Sequence, residues 1–591
     1  MTTTTTPTRR GGSWLLDETP AAEVMTPAKL SDEHRLIGRT ANEFVTNEVL
    51  PALERLEQKD WDLARDLVRR CGEVGLLATD VPERFGGVEL DKTAAVVVAE
   101  GVGRSASFSA AFGAQTGLAI MPLLLLGTEE QKAKYVPRLA SGELVGAYAL
   151  SESGSGSDAL SVKARATRQP DGSYRLNGEK MWITNGGFAD VIIVFAKVDG
   201  EHFSAFIVEK TFPGVSSGKE EHKMGLHGSS TTPIILQDAQ VPAENLLGEV
   251  GKGHKVAFNV LNYGRFKLAA MCSGGGAAVV GEACRYASER KQFGQPIANF
   301  GAIKHKLGEM VARAYAVEST LFRTVGLIDA ELQTDGAGNG TAHEGAPLLA
   351  ALEEFAIESS ILKVAASEMI DYVLDENVQI HGGNGFVKDY PAERYYRDAR
   401  VNRIFEGTNE INRLLIPGML IRRALKGGLP LVAAAKRLQD ELLAPPAMAV
   451  SGGGPLDEQT RALAAMKKVA LMVLGTAMQT YGEKLADEQE VLCHAADILI
   501  DVFGAESALL RAEQTGDALS TDAARVVVND AVARSEFAAR QALAAMTEGD
   551  TLRTLMAALR RLVKVTPVNT VALRRRLADA ALAKGGYPIE R

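Results

Sequence analysis

One glutamate stands in a sequence setting that suits acid–base chemistry. Glu406 lies between Phe405 and Gly407, just before an apolar helical pattern that includes Ile411. A glycine beside a carboxylate leaves room for a ligand to approach the backbone closely. A glutamate desolvated against an aromatic ring has a raised pKa and can act as a general base near neutral pH. A helix-capping turn with a solvated acid explains the same residues, so this stretch alone does not decide between the two.

A Gly/Ser-rich loop and a tryptophan could together hold a flat, phosphorylated cofactor. The loop at residues 150–158 alternates glycine with serine, and exposed backbone N–H groups in such a loop can bind a pyrophosphate or the edge of a heterocycle. Further along, Trp182 could stack on a cofactor ring, although tryptophan more often belongs to a core. Taken singly, the two features are better explained as a plain loop and a core aromatic.

Five ordered motifs give the chain a resemblance to the acyl-CoA dehydrogenase family. They lie at residues 150–158, 182–185, 289–294, 379–383 and 405–408. Residues 258–266 and 300–303, together with a C-terminal extension, are similar to the very-long-chain branch of that family. Two positions depart from the family pattern, because Ser151 stands where threonine is usual and Ser153 where proline is common.

The resemblance implies FAD as the cofactor and a set of residues that contact it. The implied contacts are Leu150, Ser151, Gly156, Ser157, Trp182, Ile183, Thr184, Arg290, Phe293, Gln379, Gly382, Gly383 and Thr408. Ser151 and Thr184 are expected at the edge of the flavin ring and Trp182 against its face. Arg290 and Phe293, with residues 379–383, are expected to reach the diphosphate end of the flavin in a neighbouring subunit.

The resemblance also implies an acyl-CoA substrate and assigns Glu406 as the base. The residues implied along the acyl-CoA path are Ser157, Asn262, Tyr263, Gly264, Arg265, Phe405 and Gly407. Glu406 would remove the α-proton of the thioester while its backbone N–H and a flavin hydroxyl stabilise the enolate oxygen. Hydride transfer from the β-carbon to flavin N5 would then give a trans-2-enoyl-CoA. Some relatives carry the base at the position of Gly264 instead, and the glycine here leaves Glu406 as the matching candidate.

The elements that position these residues form successive blocks. Helical patterns predict an N-terminal domain over 29–145 after a flexible tail at 1–28. Asn-Gly and Asp-Gly turns between short alternating runs predict a small antiparallel β domain over 146–250. A helical bundle is predicted over 251–430, interrupted by a Gly/Ala/Asn-rich loop at 334–345, and a linker at 431–455 precedes a helical domain at 456–591.

The predicted fold class is therefore mainly α with a small middle β domain. It corresponds to the acyl-CoA dehydrogenase arrangement of an N-terminal α domain, a β-barrel-like domain and a C-terminal four-helix bundle, with an extra α-helical domain added. No βαβ alternation is present, which excludes a Rossmann fold. The glycines at 274–276 lack a preceding strand, so close helix packing is a better explanation for them than a phosphate loop.

Composition and charge exclude several classes of function. A formal net charge of −9 disfavours nucleic-acid binding. The four cysteines are scattered and the nine histidines lack ligand spacing, so we expect no metal site and a cytoplasmic location. The last 41 residues hold nine Lys/Arg against two acids. That basic end is expected to be solvated surface, and a peripheral membrane contact is the less favoured interpretation.

Three hypotheses of function follow. The first is an FAD-dependent dehydrogenase of long-chain acyl-CoA in fatty acid β-oxidation, which acts as a homodimer and passes electrons to an electron-transfer flavoprotein. The second is an acyl-CoA oxidase, which shares the fold and the base but reduces oxygen. The third is a non-catalytic assembly factor or nucleic-acid-binding relative, disfavoured by Glu406 and by the negative charge. Gly113 and Gly117 fall where the family has the floor of the acyl tunnel and suit a long chain, although helix packing explains them as well.

Overall fold

The computed structural model describes residues 9–335, 345–443 and 454–590. Within these ranges the protein is mainly α-helical with one β domain, as predicted. The α-helices are α1 (Asp32–Phe44), α2 (Leu53–Glu57), α3 (Trp61–Glu73), α4 (Lys92–Val102), α5 (Ala106–Gly113), α6 (Met121–Leu126), α7 (Glu129–Ala140), α8 (Gly253–Glu289), α9 (Gly301–Asp335), α10 (Ala346–Glu354), α11 (Ala356–His381), α12 (Ala392–Ala399), α13 (Asn409–Leu425), α14 (Leu431–Leu443), α15 (Asp457–Tyr481), α16 (Gln489–Thr515), α17 (Ala518–Met546), α18 (Gly549–Leu562) and α19 (Thr570–Lys584). The strands are β1 (Gly146–Ala149), β2 (Arg165–Arg168), β3 (Tyr174–Thr184), β4 (Val191–Val198), β5 (His202–Glu209), β6 (Val215–Ser217), β7 (Thr231–Val241), β8 (Leu246–Leu247), β9 (Lys291–Gln292) and β10 (Gln295–Pro296).

The N-terminal helices are capped locally and pack closely on the bundle. Ser31, Asp91 and Thr128 each accept a backbone N–H in the first turn of α1, α4 and α7, which satisfies donors that a helix end leaves free. Helix α4 is buried along its whole length against α1 and α8. A methyl group added at Gly274 would lie 1.9 Å from the carbonyl oxygen of Glu100. The prediction of close helix packing at residues 274–276 is thus confirmed.

The β domain is one sheet with the strand order β6-β7-β3-β2-β4-β5-β8, and β1 pairs with β4. Most neighbours are antiparallel, as predicted, but β1 and β2 each run parallel to β4. The fully antiparallel prediction was wrong there because it was based on hairpin turns. Parallel pairing requires a long connection instead, and the residues between β1 and β4 supply it.

The bundle is built from α8, α9, α11 and α13. Within it, α9 also packs against the C-terminal helices α16, α17 and α19. One hydrophobic core runs continuously from the N-terminal helices through the bundle into the C-terminal domain. The short hairpin β9–β10 between α8 and α9 was not predicted. Its strands have two residues each, too few for an alternating pattern to show.

Ion pairs accompany the apolar contact between the bundle and the C-terminal domain. Arg511 donates to Glu318 at 2.7 Å, and neither side chain is more than 2% exposed. Arg323 pairs with Glu506 at 2.9 Å. Arg574 of the basic end pairs with Glu309 of α9. Part of the charge predicted to be solvated is therefore used inside the protein.

Two segments predicted to be unstructured are ordered in part. Trp14 is 4% exposed, packs on Phe503 at 4.9 Å between ring centroids, and donates its Nε1–H to Glu358 at 2.9 Å. The prediction of a flexible tail is therefore wrong for residues 9–28, because the threonine-rich first residues gave no indication that Trp14 would be buried. The predicted linker at 431–455 begins with a helix, α14. Residues 1–8, residues 336–344 of the loop predicted at 334–345 and residues 444–453 of the linker predicted at 431–455 lie outside the described residues.

Candidate active site

Glu406 lies on a loop whose backbone is held from three sides. Its φ is 57° and that of Gly407 is 80°. A positive φ is strained in a glutamate and persists where the surroundings fix it. Lys363 of α11 donates to the Gly407 carbonyl at 2.7 Å, and Asn412 of α13 donates to the same oxygen at 2.9 Å. Arg265 of α8 donates to the Glu406 carbonyl at 3.3 Å. These three donors keep the loop in the conformation that aims the carboxylate.

The carboxylate of Glu406 lies against the one glycine of α8 that leaves space for it. A methyl group added at Gly264 would lie 2.7 Å from Glu406 Oε2. The residue as a whole is half-buried, but Oε2 is shielded from solvent and has no hydrogen-bond partner among the described residues. Burial raises the pKa of Glu406 to about 7, and the positive charges of Arg265 and Lys363 oppose that rise. A carboxylate with such a pKa is suited to accept a proton near neutral pH.

The Gly/Ser loop at residues 150–158 is anchored on one side and open on the other. Glu152 pairs with the buried Lys180 at 2.7 Å, and the N–H of Met181 donates to the Ser151 carbonyl at 3.0 Å. Beside Gly154 and Gly156, by contrast, space is open for 4 Å. The loop thus presents exposed backbone from a fixed base, which suits it to bind a ligand.

A β-bulge presents Trp182 next to that loop. The pairing of β3 with β7 slips between Lys180 and Ile183, and Trp182 has a φ of 59° and is 55% exposed. Bulges re-aim side chains in this way. Ile183 is 2% exposed in the core of the β domain, so only its backbone can meet a ligand. Thr184 ends the strand half-buried. An exposed indole beside an open backbone loop fits a flat, phosphorylated cofactor.

The remaining predicted cofactor residues gather at a different place. Arg290 and Phe293 lie at the end of α8, and Phe293 is 93% exposed. Gln379, Gly382 and Gly383 are exposed at the end of α11. Tyr286 joins the two ends, since its ring stacks on His381 at 3.9 Å and its hydroxyl donates to the His381 carbonyl.

This second set is distant from the loop that carries Glu406. Lys363, which contacts Gly407, and His381 are 18 residues apart on α11, which corresponds to about 27 Å along a helix. Within one chain the predicted cofactor residues at the ends of α8 and α11 are therefore separated from Thr408, which lies beside Glu406.

The predicted acyl-CoA residues on α8 divide between two faces of the helix. Asn262 and Arg265 are joined at 2.9 Å, and Arg265 and Gly264 face Glu406. Tyr263 is fully buried and donates its hydroxyl to Asp80 at 2.8 Å. Successive residues on a helix are rotated by about 100°, so Tyr263 turns away from the carboxylate that its neighbours face. Ser157 is exposed on the Gly/Ser loop, and Phe405 and Thr408 are half-buried beside Glu406.

Three residues around the loop that carries Glu406 were missed in the sequence. Lys363 and Asn412 hold the loop carbonyls. Tyr148 of β1 has a buried hydroxyl without a hydrogen-bond partner among the described residues, and burial together with the charge of Glu406 raises its pKa well above the usual value. A signal existed for Lys363 alone, because a single lysine within the apolar run at 361–366 must find a buried partner.

Family models match most of the chain. The models described as the acyl-CoA dehydrogenase N-terminal, middle and C-terminal domains match residues 31–143, 147–239 and 251–420. A second model, also described as an acyl-CoA dehydrogenase C-terminal domain, matches residues 465–561. The chain belongs to the acyl-CoA dehydrogenase family. The resemblance inferred from the five ordered motifs, including the extra C-terminal domain, is confirmed.

Similar acyl-CoA dehydrogenases cover most of this chain. A probable acyl-CoA dehydrogenase of Bacillus subtilis is 45% identical over 595 residues, which is 98% of this chain and 99% of the relative. The mitochondrial very long-chain specific acyl-CoA dehydrogenase of Rattus norvegicus is 36% identical over 498 residues, 78% of this chain and 71% of the relative. A crystal structure of an acyl-CoA dehydrogenase from Bacillus anthracis, complexed with FAD, has a TM-score of 0.96 and 47% identity, and the match covers 98% of this chain and 100% of the other.

Gly264→Ala is expected to lower acyl-CoA dehydrogenase activity by at least about tenfold, because the new methyl group must displace the Glu406 carboxylate. The rate of flavin reduction after mixing with acyl-CoA, together with the flavin content, measures the effect. Gly418→Ala on α13 is the matched control, since space beside Gly418 is open and a helix favours alanine. Equal rates in the two variants would show that the carboxylate does not need this space.

Proposed function

We propose that this acyl-CoA dehydrogenase binds FAD and oxidises long-chain acyl-CoA, with Glu406 as the base that removes the α-proton. The observation that carries the proposal is the carboxylate of Glu406: it is held on a strained loop, and its Oε2 is shielded from solvent and has no hydrogen-bond partner among the described residues. The anchored loop at 150–158 and the exposed Trp182 support a flavin beside it. The relative from Bacillus anthracis, solved with FAD, supports the choice of cofactor.

The residues of this chain divide the chemistry among themselves. When bound, FAD supplies the acceptor for the hydride that leaves the β-carbon of the substrate. Glu406 takes the α-proton, and its backbone N–H stabilises the charge that develops on the thioester oxygen. Arg265, Asn412 and Lys363 keep the loop from relaxing out of its positive-φ conformation. Substrate that displaces water from the carboxylate makes Glu406 a stronger base.

Two glycines support a long acyl chain. A methyl group at Gly113 would meet only the terminal methyl of Met271, at 3.4 Å, and one at Gly117 would meet only the ring of Tyr263, at 3.6 Å. These distances allow a side chain, so close helix packing does not require glycine at either position. Each glycine leaves room for one methyl group, which supports a tunnel for a long acyl chain, and the similar rat enzyme is named for very long-chain substrates.

An anaerobic titration of the yellow protein with acyl-CoAs of graded length tests the function. We expect loss of the oxidised flavin absorbance with long-chain substrates and much less with a four-carbon substrate. Absence of bleaching with every length would contradict the dehydrogenase assignment. Re-oxidation then identifies the acceptor: rapid electron transfer to an electron-transfer flavoprotein supports the proposal, and faster re-oxidation by oxygen would favour the oxidase.

We further propose a homodimer in which each subunit completes the other's flavin site. The predicted cofactor residues at the ends of α8 and α11 lie apart from Thr408 within one chain, and Phe293 is 93% exposed. A second copy that brings its α8 hairpin to the flavin of the first would cover that ring and join the two sets. One side of helix α9 is already covered by α16, α17 and α19. That arrangement favours a dimer over a larger assembly.

Arg290→Ala is expected to weaken flavin retention and dimer association together, since a guanidinium suits a diphosphate by charge and shape. Flavin absorbance and molar mass are measured after dilution and gel filtration. Arg553→Ala, a surface arginine of α18 that is 81% exposed, is the control and should change neither quantity. A dimeric, fully flavin-loaded Arg290→Ala protein would contradict the role across the subunit interface.

A further inference from the structure

A buried lysine that contacts the loop of Glu406 begins a series of polar contacts that takes no direct part in the proposed reaction. Lys363 has no exposed surface, and its ammonium group donates to the Gly407 carbonyl and to Asn409 Oδ1, each at 2.7 Å. Gly407 follows the base directly. A buried charge is costly unless it is well bonded, so these contacts are strongly favoured over alternatives.

The chain continues from Asn409 into the C-terminal domain. Asn409 donates to Glu368 Oε1 at 3.0 Å. Arg413 donates to both oxygens of Glu368, at 2.7 and 3.0 Å, and its Nε donates to Asp497 of α16 at 2.8 Å. The polar contacts therefore run from Asp497 of the C-terminal domain, through α13 and α11, to the carbonyl oxygen of Gly407, the residue after the base. Each step is a direct contact between charged or amide groups.

The charges around the base show what Lys363 can do electrostatically. Glu406 faces the cations Arg265 and Lys363 and the phenol of Tyr148. Lys363 in turn faces Glu406, Glu410, Arg265 and the thiol of Cys272. Burial lowers the pKa of Lys363 to about 8, so the group remains largely cationic at neutral pH. A cation at that place favours the ionised, proton-accepting form of Glu406.

We propose that Lys363 is a positioning residue for the base: it fixes the turn at Gly407, favours the ionised form of the Glu406 carboxylate, and is itself held by the C-terminal domain through the contact of Arg413 with Asp497. The inference deepens the proposed function and rests on Glu406 as the base. It assigns the C-terminal domain a part in the geometry of the active site.

Lys363→Met tests the electrostatic part. In the wild-type enzyme the rate of flavin reduction is expected to rise with pH through about 7 as Glu406 loses its proton. Without the cation the carboxylate is less favoured, so the midpoint should move upward by about one pH unit. Lys363→Arg keeps the charge, so the midpoint of its pH profile should lie close to that of the wild type. Lys267→Met is the matched control, because Lys267 is also buried but faces Asp80, and its midpoint should equal that of the wild type.

A second measurement keeps the test independent of turnover. The infrared band of the protonated Glu406 carboxyl, identified by its loss in Glu406→Gln, gives the midpoint in protein without substrate. A higher pH midpoint for the loss of this band in Lys363→Met supports the inference, and an unchanged midpoint in a folded, flavin-loaded variant overturns it. Failure of the proposed function has a different signature, since Glu406→Gln would then stay active whatever Lys363 does.

Asp497→Asn tests the part of the C-terminal domain. Loss of the charge on Asp497 loosens Arg413, and we expect a fall in kcat of about threefold with little change in KM, within the range of coupling through packed networks. Asp501→Asn is the control on the same helix, since Asp501 pairs with Arg534 inside the extension. Equal kcat in both variants would show that the C-terminal domain does not support Lys363.

Discussion

Glu406→Gln is expected to keep flavin and acyl-CoA binding and to lose dehydrogenation by about a thousandfold or more, roughly 4 kcal/mol of barrier. The amide fills the same space against Gly264 but cannot accept the α-proton. The loop conformation should survive, because Arg265, Asn412 and Lys363 bind its carbonyl oxygens and not the side chain. Flavin reduction in a single anaerobic turnover, with acyl-CoA binding measured separately, shows both effects.

The control for this substitution lies four residues further on. Glu410 is exposed in the first turn of α13, and Glu410→Gln removes the same charge from the same region without touching the carboxylate against Gly264. It should retain near wild-type rates. If Glu406→Gln kept activity within about tenfold of the wild type, the assignment of this residue as the base would be wrong.

Part of the site could be predicted from sequence because it is encoded locally. Gly407 supplies a positive φ, Thr408 caps α13, and the Gly/Ser loop exposes backbone wherever the fold places it. The order of the five motifs then indicated the family, although no single motif could. The positive φ of Glu406 itself had no local signal, since only donors from α8, α11 and α13 hold it in place.

The rest depends on contacts distant in sequence. Tyr263 lies between two residues that were predicted with it, yet it turns to Asp80, 183 residues away in the sequence. Lys363 precedes the loop it supports by 44 residues. Trp14 anchors a segment whose composition predicted a tail, because its partners Glu358 and Phe503 lie in two other domains. Periodicity reports which face of an element is apolar, but it does not report what that face meets.

Removal of residues 444–591 is expected to lower the thermal stability of the remaining protein sharply and to change its association. The apolar core is continuous across this boundary, so the cut bares the face of α9 that α16, α17 and α19 cover. Trp14 loses Phe503. Glu318 and Arg323 lose Arg511 and Glu506, but these charges would be solvated at little cost. The apolar surface is therefore the dominant effect, and such patches promote association.

The expected products are tetramers or aggregates in place of the proposed dimer, with a melting temperature lowered by about ten degrees or more. Light scattering and thermal melting on both proteins measure the change. Co-expression of residues 454–591 as a separate chain is the matched control. Since the extension acts by covering α9, the added chain should restore the dimer even without a covalent link. A truncated protein that is a dimer of unchanged melting temperature would mean that α9 does not need this cover.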